Sequence, residues 1–260
     1  MLKILKYSFY DLIRSRWSYV YFLFYMALGF VLLFLNNDVS KAVITLMNVI
    51  IVLVPLIGTI FGVMYYYNSK EFTELLLALP IKRSSIFLGQ YLGVAGSLTL
   101  SLVLGLGIPF VLYGLFQSDT IFDFSLLLIT GGFLTLIFTA LSFNIALSNE
   151  NKIKGFGYAV LLWLFLAVIY DGLFLMSLIV FEEYPLDAFS LAATMLNPID
   201  LSRTLILLEL DISALLGYTG AVFKNFFGTD QGLFISLLML VLWTVAPVWR
   251  LVYKSKKKDF

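Results

Sequence analysis

The sequence predicts an all-α polytopic membrane protein with six transmembrane helices. Three observations carry this. Hydrophobic residues fill 61% of 260 positions and mean hydropathy is +0.99, against roughly 45–50% apolar in soluble domains. Charged residues are only 13%, about half the soluble share of roughly 25%. The apolar runs exceed the ~18 residues that suffice to cross hydrocarbon, and short charged breaks separate them.

Residues 1–17 precede the first run. Leu2, Leu5, Phe9, Leu12 and Ile13 recur at helical spacing, with Lys3, Lys6, Arg14 and Arg16 mostly on other faces. That pattern predicts an interfacial helix, bounded by Trp17, Tyr19 and Tyr21. Two readings of it stand side by side: a connecting helix leaning on a cytoplasmic partner, or a plain surface anchor. No small-residue cleavage site follows the first run, so residues 1–17 are expected to belong to the mature chain. Spans are expected at about 18–35, 42–66, 87–116, 124–147, 156–181 and 232–252. The second and third runs exceed the ~20 residues a spanning helix needs, so tilt or extension past the bilayer is expected. Pro55 and Pro109 fall inside spans, where neighbouring helices tolerate a kink.

Lys and Arg set the orientation. With six spans both termini share a side, along with the loops at 67–86 and 148–155. Of the 17 basic residues, only Lys41, Arg203 and Lys224 fall on the opposite side. Both termini are therefore expected to be cytoplasmic. The basic tail at 254–258 reads as a topology anchor, and no nucleic-acid footprint is present.

Between spans two and three lies a charged break at 70–83. Phe72, Leu75, Leu76 and Leu79 follow i, i+3, i+4, i+7, while Glu71, Glu74 and Ala78 occupy another stripe. A helix over 70–80 is predicted, stopped by Pro80, with Lys82-Arg83 returning the chain to the inner surface. At ~15 Å it is too short to cross a membrane. Its apolar face goes either into lipid or into a groove on a partner. Burying four such side chains is worth several kcal/mol at about 1.5–3 kcal/mol each.

Asp171 is the one ionisable residue well inside a span, and such a carboxylate is a functional candidate by default. It is expected to bind a substrate cation, relay protons or pair across a dimer. The structural alternatives are a protonated group bonded to Tyr170 or a backbone carbonyl, or a position nearer the outer interface. With no intramembrane basic partner, it argues against a proton-coupled carrier. The outer segment 182–231 is too apolar for a free loop, with Leu205–Leu208, Leu215-Leu216, Phe223 and Phe226-Phe227. Asn197 suits an N-cap, Pro198 the first helical position and Asp200 the first turn. A helix over about 198–210 and a second helical piece before span six are predicted, either dipping into the outer leaflet or forming a platform. The acids Glu182, Glu183, Asp187, Glu209 and Asp211 are read either as a dock for a periplasmic protein or as merely solvated.

Composition also excludes chemistry. Without His or Cys there are no disulfides, Cys/His zinc sites or thiol catalysis. The seven Met are scattered and read as packing, not as copper ligands. No Gly-x-x-x-x-Gly-Lys-Ser/Thr phosphate loop and no Gly-x-Ser-x-Gly elbow occurs. No catalytic residue and no metal site is expected, and any ATPase would be a separate subunit.

The 70–83 segment resembles the coupling helix of ABC-2-type transporter permeases: Glu71, then Leu75-Leu76-Leu77, Pro80 and Arg83, followed by Phe87-Leu88-Gly89-Gln90-Tyr91-Leu92-Gly93 opening span three. Phe72-Thr73 stands where that family commonly has Gly-Thr. Asp11-Leu12-Ile13-Arg14-Ser15-Arg16-Trp17, Val54-Pro55-Leu56-Ile57, Tyr170-Asp171-Gly172-Leu173 and Leu196-Asn197-Pro198-Ile199-Asp200-Leu201-Ser202-Arg203 resemble one subgroup. These are the NosY-type permeases, which serve maturation of the copper enzyme nitrous-oxide reductase. The resemblance covers nearly the whole chain and implies one transmembrane domain over 1–260. It implies a homodimer carrying two cytoplasmic ATPase subunits, with ATP and Mg bound there and no cofactor on this chain. It further implies re-entrant helices between spans five and six, a periplasmic maturation protein as partner, and contact with membrane lipid. In that setting the coupling residues are Glu71, Phe72, Glu74, Leu75, Leu76, Leu79, Pro80 and Arg83. Asn197, Pro198, Asp200 and Arg203 form the outer platform. Lacking His and Cys, the spans suit a sulfur-containing species or mechanical work better than copper itself. A general ABC-2 exporter of a hydrophobic or lipid-like compound and a non-transporting membrane scaffold are the competing readings.

Overall fold

The computed structural model describes residues 2–36, 39–118, 120–181, 184, 186–209 and 230–257. The predicted fold class holds: the described chain is helical, with no strand among the described residues. In order, the helices are α1 (Leu2–Arg14), α2 (Arg16–Asn36), α3 (Val39–Asn68), α4 (Lys70–Leu77), α5 (Arg83–Leu112) and α6 (Ile121–Ser148). They continue with α7 (Lys152–Leu164), a π-helical turn at Phe165–Ile169, α8 (Tyr170–Val180), α9 (Asp187–Leu196), α10 (Pro198–Glu209) and α11 (Asp230–Lys257).

Among the described residues six single stretches are long and apolar enough to span: Ser18–Asn36, Lys41–Asn68, Arg83–Leu112, Ile121–Ser148, Lys152–Val180 and Gly232–Lys257. The 30-residue α5 extends roughly 45 Å at 1.5 Å per residue, longer than the ~30 Å hydrocarbon layer. Span three starts at Arg83 and ends at Leu112 rather than covering 87–116. It closes where Gly114 turns with φ 95°, a left-handed conformation that glycine adopts without strain, ahead of a 3-10 turn at Leu115–Gln117.

Span four is the centre of the bundle, with 67% of its window buried, against 17% for span five. Hydrophobicity cannot drive helices together inside lipid, so close backbone approach does. Gly58 and Gly62 put α3 directly on α6: a Cβ at Gly58 would sit 3.5 Å from the Thr135 carbonyl, and one at Gly62 would overlap the Ser142 hydroxyl. Asn144 Nδ2 donates to the Pro247 carbonyl at 2.7 Å, fastening span four to span six.

A second small-xxx-small pair, Gly89 and Gly93 on α5, receives α1. A Cβ on Gly93 would lie 2.6 Å from Ser8 Cβ and 2.9 Å from the Phe9 amide nitrogen. The amphipathic helix therefore packs on protein, burying Ile4, Ser8 and Leu12, while Leu2 is exposed. It stops at Arg14, and Ser15 separates it from span one. The stripe expected over Leu2, Leu5, Phe9, Leu12 and Ile13 misses the true centre because a small residue, Ser8, is what the glycine groove admits.

Gly93→Leu should displace α1 and lower stability by about 2–3 kcal/mol, the scale of overpacking against backbone. Gly107→Leu, where a Cβ meets nothing within 4 Å, should leave stability unchanged. Denaturant unfolding of the solubilised protein measures both.

Candidate functional site

Two regions hold the residues singled out from sequence, one at each end of the bundle. The first is α4, at the end carrying Lys70, Lys82, Arg83, Lys152 and Lys154, called the basic end below. Ser69 ends α3: its hydroxyl donates to the Tyr65 carbonyl at 2.7 Å. The next helix is short, Lys70–Leu77, eight residues against the 70–80 expected. It unwinds before Pro80 because the residue preceding proline disfavours helical backbone.

Thr73 anchors this helix. It is 5% exposed, donates to the Ser69 carbonyl at 2.7 Å and accepts from Gln90 Nε2 of span three at 2.8 Å. The predicted apolar face is split. Phe72 turns inward and stacks on Tyr7 of α1, ring centroids 4.7 Å apart, and Leu76 is half-buried. Leu75 and Leu79 point out, 70% and 52% exposed, beside exposed Glu71, Glu74, Pro80 and Arg83. The stripe failed because one buried Thr–Gln pair outweighs four leucine-type positions on a helix with few neighbours. Sequence reasoning gave neither Thr73 nor Gln90 a pairing role; a glutamine two turns into an apolar span was the available signal. Nearby, Tyr67 donates to the Asn149 carbonyl at 2.7 Å and Lys152 Nζ to Asn68 Oδ1 at 3.0 Å, joining the two loops of this end.

The second region is at the opposite end. Helices α9 and α10 meet at a 115° bend between spans five and six. The helix expected from 198 is present as Pro198–Glu209, and α9 before it was not foreseen. The predicted second helical piece lies outside the described residues, as do Glu182, Glu183 and Asp211. Asn197 caps α10: its Oδ1 accepts from the Ile199 amide at 3.1 Å. Its Nδ2 donates to Asp200 Oδ2 at 2.7 Å and to the Leu166 carbonyl at 2.8 Å. Leu166 lies in the π turn of span five, a wound-out segment of the kind that frees carbonyls and often marks functional positions.

Asp171 is not alone. Arg203 Nη1 donates to Asp171 Oδ2 at 2.9 Å and lies 3.6 Å from Asp200 Oδ1. The expectation of a carboxylate without a basic partner is corrected: the bend folds α10 back so that a residue 32 positions on reaches span five. Tyr170, read as a partner for Asp171, donates instead to the Ala193 carbonyl of α9 at 2.8 Å. Trp243 of span six donates to the Met195 carbonyl at 3.0 Å. Asp200 is buried and faces both the Arg203 guanidinium and the Asn197 amide. Asp171 and the Asn197–Arg203 segment are thus one cluster, linking span five, the bent helix pair and span six.

Asn197→Ala removes the cap and leaves a buried carbonyl unpaired, an expected loss of about 2–3 kcal/mol. Thermal unfolding in one detergent is the check, with Ser202→Ala as a nearby control: Ser202 Oγ is buried and has no hydrogen-bond partner among the described residues.

Six candidate spans among the described residues, a short helix hung between spans two and three, and a bent helix pair before span six define a multi-pass membrane domain. A family model described as ABC-2 family transporter protein matches residues 4–217, and the chain belongs to that family. The matched region takes in α1 through the bent pair. Compared with curated proteins, the chain matches none. Permeases of this family are generally non-catalytic membrane subunits that partner a cytoplasmic ATPase and often dimerise, and the protein is multi-pass in the membrane.

Proposed function

We propose that this chain is the membrane subunit of an ABC transporter, one transmembrane domain over 1–260 that dimerises and carries separate ATPase subunits. Both termini face the cytoplasm of a bacterium, and ATP and Mg are held by the partner. The observation that carries this reading is α4. Exposed Leu75 on this helix and Leu79 just past its end, flanked by Glu71, Glu74, Pro80 and Arg83, ride on a segment tied to span three through Thr73 and Gln90. Outward apolar side chains on a braced helix suit the groove of a soluble partner, and the brace suits passing its motion into the spans. Phe72 and Leu76 serve as the inner side of that lever.

The output is the Asp171–Arg203–Asp200 cluster with its Asn197 cap. A shift of span five at the π turn would be felt directly by the bent pair and passed to a periplasmic partner. We assign the system to the NosY type, serving copper-site assembly of nitrous-oxide reductase, on the resemblance of the segments around Asp11, Tyr170-Asp171 and Asn197–Arg203. The cargo is then a sulfur species, or the output is mechanical work on a copper-handling protein.

The test is a gentle pulldown of the tagged chain that identifies cytoplasmic and periplasmic partners together, paired with nitrous-oxide reductase activity in a strain lacking the chain. An ATPase with a copper-handling partner, and loss of reductase activity restored by the intact gene, are expected. An ATPase without reductase dependence would support the general exporter of a hydrophobic compound. No ATPase at all would leave the scaffold.

A further inference from the structure

A cavity of about 500 Å³ opens at the basic end among α1, the last turns of α3 and the start of α4. That volume lies within the roughly 300–1,000 Å³ of small-molecule sites. Its walls are aromatic: Tyr7, Phe61, Tyr65 and Phe72, with Tyr7 and Phe72 stacked together on one side. Leu12 and Tyr65 are buried in its lining. Asp11 is the one acidic or basic side chain among the lining residues, joined by the hydroxyls of Ser15 and Ser69. Among the described residues, Asp11 forms no ion pair.

A carboxylate beside aromatic faces selects a cation. Oxygen acceptors at the same place favour an ammonium that still carries N–H donors over a quaternary one, which has none. A carboxylate on the ligand, as in a serine headgroup, would be repelled by Asp11. The cavity sits where α3 leaves the membrane at Asn68, the depth of lipid headgroups. Exposed Arg14 and Arg16 flank Ser15 along the chain and suit a neighbouring phosphate.

We infer that this cavity binds the headgroup of an ethanolamine phospholipid from the adjoining leaflet, the ammonium on Asp11 against the aromatic walls. Its walls come from the interfacial helix, span two and α4, so the lipid wedges all three into one unit. A bilayer poor in this lipid leaves α4 less firmly seated.

The full chain, solubilised with its associated subunits and stripped of lipid, is titrated with phosphatidylethanolamine, phosphatidylcholine and phosphatidylglycerol and read by native mass spectrometry. Phosphatidylethanolamine should bind about tenfold more tightly than the other two, the size of one charge-assisted hydrogen bond. Asp11→Asn should remove that preference and leave phosphatidylglycerol binding unchanged. Asp11 is exposed, so this variant should melt with the wild type. Phe61→Leu, which keeps apolar bulk and loses the ring, provides a second variant that should also weaken the preference. Equal retention of the three lipids, or an unchanged preference in both variants, overturns the proposal. So does full displacement by soluble phosphoethanolamine at matched concentration, which would make the ligand a free amine.

Discussion

Arg203→Ala destabilises the protein by about 2–4 kcal/mol, the low side of the penalty for stranding a buried charge. The side chains of Arg203 and Asp171 keep 27% and 30% of their exposure, so the loss is smaller than in a sealed core. Asp200, at 9% exposed, gains most from the guanidinium. Without Arg203, two carboxylates face each other with no cation among the described groups of the cluster. The bent pair then loses its ionic hold on span five and keeps, among the described residues, the hydrogen bonds of Asn197 and Tyr170 and the Phe174–Phe189 ring contact. Adding Asp171→Asn to Arg203→Ala should recover more than half of the loss, because one of the two stranded charges is removed. Equilibrium unfolding of the solubilised single and double variants measures both effects. An Arg203→Ala protein within about 0.5 kcal/mol of wild type, the ordinary range of surface substitutions, would mean that the cluster holds nothing together.

Leu75→Asp combined with Leu79→Asp abolishes recruitment of the ATPase while leaving the membrane domain folded. Both side chains are mostly exposed, so the free chain loses no burial. In a partner's groove each would bury an apolar surface worth about 1.5–3 kcal/mol, so losing both weakens binding roughly 100-fold or more. Thr73→Val behaves differently. It leaves Gln90 Nε2 without its 2.8 Å acceptor and loosens α4 from span three, but spares the outward face. The ATPase should still co-purify with Thr73→Val, with hydrolysis no longer driving substrate-dependent work. Co-purification and ATP turnover in nanodiscs separate contact from transmission. Equal loss of the ATPase in both variants would instead place the docking surface on the inner side of α4.

The six spans were legible because lipid imposes a length and an apolarity that few other environments demand. Their ends were less so: span three begins at Arg83 because the first turns of α5, with Gln90 and Gly93, serve α4 and α1 rather than lipid. The N-cap at Asn197 was legible because Asn-Pro-x-Asp carries its own local chemistry. Helix α9 was not, since Asp187–Leu196 alone has the composition of any short apolar stretch. The two glycine pairs at 58/62 and 89/93 stand at small-xxx-small spacing but were not singled out from the sequence, and what they admit depends on the opposite helix.

Within the candidate sites the division is sharper. Glu71, Leu75, Leu79, Asp171, Asn197 and Asp200 were named from local pattern and Arg203 on the family resemblance, but Asp171 and Arg203 as members of separate regions. Nothing in the 31 residues between them announces that one reaches the other; that follows from a 115° bend between α9 and α10. Which apolar side chains of α4 face out was likewise undecidable from periodicity, because an eight-residue helix is oriented by its anchors, here Thr73 and Tyr7, not by its own moment. The sequence by itself determined the class of environment, the number of crossings and the local caps, since each depends on residues near one another in the chain. The tertiary structure alone decided that the lone intramembrane acid is an ion pair and that the lever's inward grip is polar. Those depend on contacts between helices distant in sequence, where one close approach or one hydrogen bond in a water-poor interior outweighs an averaged pattern.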